Sequence, residues 1–184
     1  MTDLAWDRVT RGVHVPQDAG AVARWRAWCS VLPAGAALTG LTAAAARGWW
    51  LPPVPTDLPV FAAQPRTAVL PVRSGLHVTR LARPPAIEHV REVPVTAADE
   101  TLLICARLLS PLDLVVLVDG ALAAGSCTLE ELRTFCGDAA TTRRPGVRAL
   151  RSALARADDR TESAWETMLR VLHVSAGIAV QLQF

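Results

Sequence analysis

The sequence predicts an α/β or α+β fold, with a small mixed sheet in the first half of the chain and helices in the second. Two observations lead to this prediction. Before residue 96, short valine-rich segments alternate apolar and polar residues, which is typical of strands. After it, apolar residues recur every three or four positions behind capping residues, which indicates helices. A chain of 184 residues is long enough for one domain with a core and a short appendage.

The first element is a predicted β-hairpin at residues 6–16, where valines alternate with polar residues on both sides of Gly12, the expected turn. Two short helices are predicted next, at residues 19–30 and 42–49. Residues 50–59 contain four prolines. Because proline sustains neither a helix nor a strand ladder, this segment is predicted to be a loop.

Three strands are predicted to form the rest of the sheet, at residues 59–64, 75–82 and 87–95. The second of them carries apolar side chains on both faces, so we expect it to lie in the centre of the sheet. The third is predicted to be one continuous strand.

Five helices are predicted in the second half, at residues 96–109, 111–125, 128–137, 145–158 and 163–177. Thr128 with Glu131 and Ser163 with Glu166 have the spacing of a capping box, and Pro111 suits the first position of a helix. The side chains of the last helix that are expected to face the core share one stripe: Trp165, Met168, Leu169 and Leu172.

The composition excludes some chemistry. The chain has no Lys, no Asn and no Tyr, and all 19 of its basic residues are Arg. A Schiff-base or P-loop lysine and a tyrosine nucleophile are therefore excluded. Residues 1–98 carry ten Arg against six acids, a net charge of +4, whereas the rest of the chain has a net charge of −2. A basic first half is compatible with a nucleic-acid surface or with a solvated face.

The chain is expected to be cytoplasmic and to have no membrane partner. The longest uncharged stretch, residues 27–46, contains a proline, glycines and few large apolar side chains, which is unlike a spanning helix. No signal-peptide pattern opens the sequence. The four cysteines lack C-x-x-C spacing, so we expect buried thiols in a reducing compartment.

Two carboxylates stand out among the candidate functional residues. Asp119 lies inside a leucine- and valine-rich helix, where an acid requires a partner or water. Glu166 is explained by a capping box, although a metal-dependent nuclease also uses a helix carboxylate in this setting. The four histidines are scattered without metal-ligand spacing, so no metal site is predicted.

Several segments together resemble actinobacterial proteins related to AbiEi-type antitoxins, many of which continue into an endonuclease domain like that of very-short-patch repair. The segments that carry the resemblance are "WDRVTRGVHVP", "LPAGAALTGLTAAAARGWWLPP", "GLHVTRLA", "VPVTAADETLLICARLL", "VVLVDGALAAGSCTLEEL" and "DRTESAWETMLRVLHVSAGIAVQLQF". The resemblance implies that residues 6–16 form a wing-like hairpin and that Asp119 is the aspartate usual in the family. Arg8 and Arg11 on this wing-like hairpin, together with Arg73 and Arg80 in the basic first half of the chain, are the candidates for contacts with DNA phosphates.

The resemblance also implies a division into two domains. Residues 1–158 correspond to the antitoxin-like scaffold. Residues 159–184 correspond to the truncated start of an endonuclease-like domain of the PD-(D/E)xK type, a helix followed by a strand after Gly177. Only Glu166 of that nuclease's acidic residues is present, so no cofactor is expected for this chain, whereas a complete domain binds Mg²⁺.

Three functions remain open from the sequence. The leading hypothesis is a non-catalytic antitoxin-like regulatory protein of a toxin–antitoxin or defence system, whose partners are DNA or a protein such as a toxin or a second copy. One alternative is a fragment or subunit of a Mg²⁺-dependent DNA endonuclease, with Glu166 in its site. The other is a purely structural interaction module.

Overall fold

The computed structural model describes residues 5–55 and 57–178. These residues form seven helices, a two-stranded sheet and a five-stranded mixed sheet, which confirms the predicted mixed fold with a helical second half. They divide into two compact units, which lie within Met1–Ala46 plus Pro55–Ala97 and within Arg47–Val54 plus Ala98–Phe184. Within the described part of the chain, none of the helices combines the length and the apolar character that a membrane crossing requires.

The first unit contains both sheets and two helices. In chain order its elements are β1 (Trp6–Thr10), β2 (Val13–Pro16), α1 (Ala21–Cys29), β3 (Ala37–Leu38), α2 (Gly40–Arg47, whose last residue falls in the second unit), β4 (Val60–Pro65), β5 (Leu76–Leu81), β6 (Ile87–Val90) and β7 (Val93–Thr96). The second unit is helical. Its elements are α3 (Ala98–Cys105), α4 (Pro111–Ala123), α5 (Leu129–Gly137), α6 (Val147–Leu154) and α7 (Ala164–Ser175).

The predicted N-terminal hairpin is confirmed. Strands β1 and β2 pair antiparallel, with Arg8 opposite His14, and Gly12 at the turn has a φ of 80°, which is accessible to glycine at little cost. The inner face of the hairpin packs on α1, where Val15 is buried and the Asp7 carboxylate accepts from the Arg24 guanidinium at 2.7 Å. The opposite face of the hairpin is exposed.

The five-stranded sheet has the order β5-β4-β3-β7-β6. Strand β5 pairs parallel with β4 at the edge of the sheet, so the prediction that it is central is wrong. Its second apolar face is only half buried, as the intermediate exposure of Leu76 and Val78 shows. The predicted continuous strand at residues 87–95 is also wrong, because Arg91 and Glu92 adopt φ values of 51° and 63° and turn the chain into the β6–β7 hairpin.

The core of the first unit forms around β3, which the sequence analysis did not predict. Leu38 packs with Val93 and Val95 of β7 and with small residues of α2. The buried hydroxyls of Thr39 and Thr96 share a hydrogen bond at 2.9 Å. Satisfied buried hydroxyls of this kind fix the pairing of neighbouring strands, because a shifted register leaves them without partners.

The second unit forms around α4. Ser110 caps this helix by accepting from the Asp113 N–H, and the nine residues from Leu114 to Leu122 are all buried. A helix that is buried on every side is surrounded by other elements, and here α6 and α7 pack against it. Trp50 packs on α4 at Gly120, where the two backbones meet closely.

The compact units divide the chain differently from the predicted boundary after residue 158. Helix α7 lies in the same unit as α4 and packs against it. The relation of residues 159–184 to an endonuclease-like domain stays a prediction, and the strand predicted after Gly177 falls largely on residues 179–184, outside the described residues.

Replacing Gly120 with Ala is expected to lower the free energy of unfolding. A Cβ at this position is 2.7 Å from the Trp50 backbone nitrogen, which cannot move aside as a flexible side chain does. Overpacking of this kind costs about 1–3 kcal/mol, and a denaturation series measures it. Gly137→Ala is the matched control, since its Cβ meets nothing within 4 Å. Equal stability of the two variants would contradict the close approach.

Candidate nucleic-acid interface

A groove in the first unit brings together three of the four arginines that were predicted to contact DNA. It has a volume of ≈ 1020 Å³ and is lined by the hairpin turn, by Val31 and by the segment that precedes β5. Arg8 and Arg11 line it from the hairpin, and Arg73 lines it from the other side. We call this the arginine groove. Two segments about 60 residues apart in sequence therefore place three arginines around one cavity.

The hairpin turn is tied to the opposite wall of the arginine groove. The Nη1 atom of Arg73 donates a hydrogen bond to the backbone carbonyl of Arg11 at 2.9 Å. This contact could not be predicted from the sequence, because the two residues are 62 positions apart and share no local motif. The contact forms only when the hairpin and residues 71–74 lie next to each other in the folded protein.

The exposed face of the hairpin extends the arginine groove with ring-bearing side chains. Arg8 lies opposite His14 on this face, and Trp6, two residues before Arg8, is 59% exposed. Guanidinium groups bind phosphate oxygens in a fork geometry, and flat rings stack on sugars or bases. The arrangement can therefore bind a polyanion that also offers surfaces for stacking.

Arg80 lies apart from the arginine groove. It is on β5, in register with Gln64, and its guanidinium donates to the Arg66 carbonyl. The structure thus brings Arg8, Arg11 and Arg73 together and leaves Arg80 outside that set. A phosphate contact by Arg80 stays a prediction.

Asp119 has the partners that the sequence analysis required, and they come from the second unit. Its carboxylate is fully buried and accepts from the Thr167 hydroxyl at 2.7 Å, from Arg170 Nη2 at 2.6 Å and from the Asp158 backbone N–H at 2.9 Å. Burial raises the pKa of Asp119 above its usual value, and these three donors oppose the shift without cancelling it. An arginine and two further donors thus satisfy both oxygens of the buried carboxyl group.

Met168 of the predicted stripe is half buried, but the prediction that Trp165, Leu169 and Leu172 face the core is wrong. These side chains are 74%, 53% and 56% exposed, whereas Thr167 and Val171 are buried. The helix is rotated so that its Thr167 and Arg170 side chains reach Asp119. Thr167 and Arg170 are three residues apart on α7, so their side chains lie on the same face of the helix. Because the sequence also shows that Asp119 requires donors, this pair could have identified the buried face of α7.

Glu166 lies at the exposed beginning of α7 and acts there as a capping residue. Its Oε2 atom accepts from the Glu162 N–H at 3.0 Å, and its Oε1 atom accepts from the Ser163 hydroxyl at 3.0 Å. Ser163 in turn accepts from the Glu166 N–H. In a standard capping box the glutamate accepts from the N–H of the cap residue itself. Here the cap is Ser163, and Glu166 accepts instead from the N–H of Glu162, one residue earlier.

The described part of the chain contains neither a metal cluster nor a disulfide. Across residues 5–55 and 57–178, no group of three or more His, Cys, Asp or Glu side chains is placed to hold a metal ion. None of the four cysteines forms a disulfide. Cys105 and Cys136 are buried, as predicted, while Cys29 and Cys127 are half buried. Burial raises the pKa of Cys29 to about 11 and that of Cys105 to about 12, which disfavours the thiolate.

Comparisons with known proteins find one similar solved structure. No family model and no curated protein matches the chain. The crystal structure of the RV2827C protein from Mycobacterium tuberculosis is similar, with a TM-score of 0.48 and 18% sequence identity. The alignment covers 92% of this chain and 61% of that one, so this chain spans less than two thirds of the other's length.

Replacing Asp119 with Ala is expected to lower the free energy of unfolding by about 3–5 kcal/mol, because it leaves the Arg170 charge, 12% exposed, without its counterion. Asp113→Ala is the control on the same helix. Asp113 lies in the exposed first turn of α4, where an acid contributes about 0.3–1 kcal/mol. Chemical denaturation of both variants tests this, and similar small losses would show that the buried network is unimportant.

Replacing Glu166 with Gln is expected to change the free energy of unfolding by less than about 0.5 kcal/mol, since the amide oxygen still accepts hydrogen bonds. Glu166→Ala removes the acceptor and is expected to cost about 0.5–1 kcal/mol, comparable with Ser163→Ala. Thermal unfolding of the three variants measures this. A large stabilisation by Gln would instead indicate a carboxylate held under repulsion, as in a metal site.

Proposed function

We propose that this protein is a non-catalytic, antitoxin-like regulatory protein that contacts the DNA backbone through its arginine groove. The observation that carries the proposal is the convergence of Arg8, Arg11 and Arg73 on one cavity next to an exposed hairpin face. The resemblance of residues 6–16 to a wing-like segment supports the same surface.

The side chains of the arginine groove suit phosphate groups. Each guanidinium offers several N–H donors in a plane, which match two phosphate oxygens at once. None of the described residues that line the groove is an acid, and Asp7, which precedes Arg8 on β1, is already paired with Arg24 on the inner face of the hairpin. The local charge of this surface is therefore positive, so it attracts a polyanion.

The contacts made here are expected to be independent of base sequence. Arginines that meet phosphates fix the position of a protein on DNA, and sequence is read by contacts with base edges. Such binding weakens steeply as salt rises, because each neutralised phosphate releases counterions. A regulatory protein with this surface obtains its specificity from a protein partner, such as a toxin or a second copy, or from the exposed hairpin face.

Two further observations support the non-catalytic and cytoplasmic parts of the proposal. Both carboxylate oxygens of Glu166 are engaged in capping α7, which accounts for this residue without a reaction. Cysteines that form no disulfide suit a reducing compartment. Magnesium-stimulated hydrolysis of DNA by the purified protein would overturn the non-catalytic assignment.

Binding to a short DNA duplex is expected at about 50 mM salt and to be weakened strongly at about 200 mM, as for other phosphate contacts. The R8A/R11A double variant is expected to bind more weakly, and its slope of log K against log salt should be smaller by about 1.8, since each lost phosphate contact removes about 0.9.

The control for this titration is R83A, which removes one exposed positive charge that does not line the arginine groove. Fluorescence anisotropy with a labelled duplex measures both affinities and slopes. The proposal is contradicted if the wild-type protein does not bind at low salt, or if R83A loses as much affinity and slope as the groove variants.

A further inference from the structure

We infer that Arg73 is a positioning residue, which fixes the hairpin turn so that Arg11 is presented to the ligand, rather than an independent phosphate contact. The inference rests on the proposed function and assigns different roles to arginines that line the same groove. Its basis is the hydrogen bond from Arg73 Nη1 to the Arg11 carbonyl at 2.9 Å.

Arg73 extends from a segment that is anchored to the sheet. The Arg73 carbonyl accepts from the Leu76 N–H at 3.3 Å, and the carbonyl of Gly75 accepts from the Val60 N–H at 2.8 Å. Gly75 also lies close to the buried ring of Trp28, since a Cβ there is 3.4 Å from that ring. The backbone that carries Arg73 is thus held by β4 and by α1, and its half-buried side chain reaches out from a fixed point.

The hairpin turn, in contrast, is far from the contacts that hold the base of the hairpin. Those contacts are the buried Val15 and the ion pair of Asp7 with Arg24. Towards the turn, the β1–β2 register shifts between Arg8 and Thr10. Thr10 is still buried, but Arg11 and Gly12 beyond it are exposed. Because a two-stranded ribbon is only marginally stable by itself, the hydrogen bond from Arg73 adds support to this exposed turn.

The same hydrogen bond also changes the electrostatics of the arginine groove. A carbonyl oxygen without a donor would leave a partial negative charge beside the groove. The Arg73 guanidinium donates to this oxygen and so offsets that charge next to the Arg11 side chain. A charge-assisted bond is stronger than one between neutral groups, which makes arginine more suitable here than a neutral donor.

A double-mutant cycle with Arg73→Ala and Arg11→Ala tests the inference by anisotropy on a short duplex. We expect R73A alone to weaken binding by about tenfold, which is the usual scale for losing a hydrogen bond to a charged group. If Arg73 acts through Arg11, the R11A/R73A variant binds as R11A does, with the same salt slope. R83A serves as the control for the loss of one charge.

A second measurement, amide hydrogen exchange, reports directly on the stability of the hairpin turn. Amide hydrogen exchange at residues 10–13 is expected to be faster in R73A than in wild type, and unchanged in R83A and in R11A, which retains the carbonyl. The R73Q variant keeps a donor without the charge, so it is expected to bind more tightly than R73A. A residue that acted only through its charge would give equal affinities for R73Q and R73A.

The outcomes separate this inference from the proposed function. If wild type binds and R73A lowers the affinity of R11A further, with the salt slope reduced by about another 0.9, Arg73 contacts phosphate independently and the inference is overturned. Unchanged exchange at the turn of R73A overturns it as well. If wild type does not bind DNA, the proposed function itself is wrong and the positioning role for DNA falls with it.

Discussion

The buried carboxylate of Asp119 determines how the helical unit is assembled. A charge in the middle of an apolar helix is tolerated only when donors surround it, and here the donors are Thr167, Arg170 and the backbone N–H of Asp158. The hydrogen bonds to Asp119 fix the rotation of α7, and the bond from Asp158 fixes the path of the chain that leads to α7. Because the face of α7 that carries Thr167 and Arg170 is turned towards Asp119, the apolar stripe on its other face, which includes Trp165, is exposed.

The arginine groove in the other unit depends on a different kind of support. A hairpin is held at its base by packing on α1, and its turn is held by a side chain from a segment that the sheet anchors. The arginines are therefore presented by backbone that is fixed at two places. Fixed donors bind an anion with a smaller loss of conformational freedom than mobile ones, which is why the geometry matters for a surface of modest charge.

Local features were predictable from the sequence, and distant contacts were not. The hairpin at residues 6–16 and the caps Thr128 and Ser163 were predicted correctly, because alternation and capping spacing act within a few residues. The two-residue strand β3 carries no periodic pattern, and the turn between β6 and β7 lacks a glycine, so both were missed. The face of α7 was predicted from apolarity alone, although the need of Asp119 for donors decides it. Three of the four candidate arginines converge, but the link from Arg73 to Arg11 depends on tertiary structure.

The most direct test of the central claim is an NMR titration of the isotope-labelled protein with a short DNA duplex at low salt, followed residue by residue. The account predicts that amide signals of residues 6–16 and 71–74 shift together and saturably, while those of α4 and α7 stay in place. Shifts concentrated on the helical unit, or no shifts in the hairpin at saturating DNA, would contradict it.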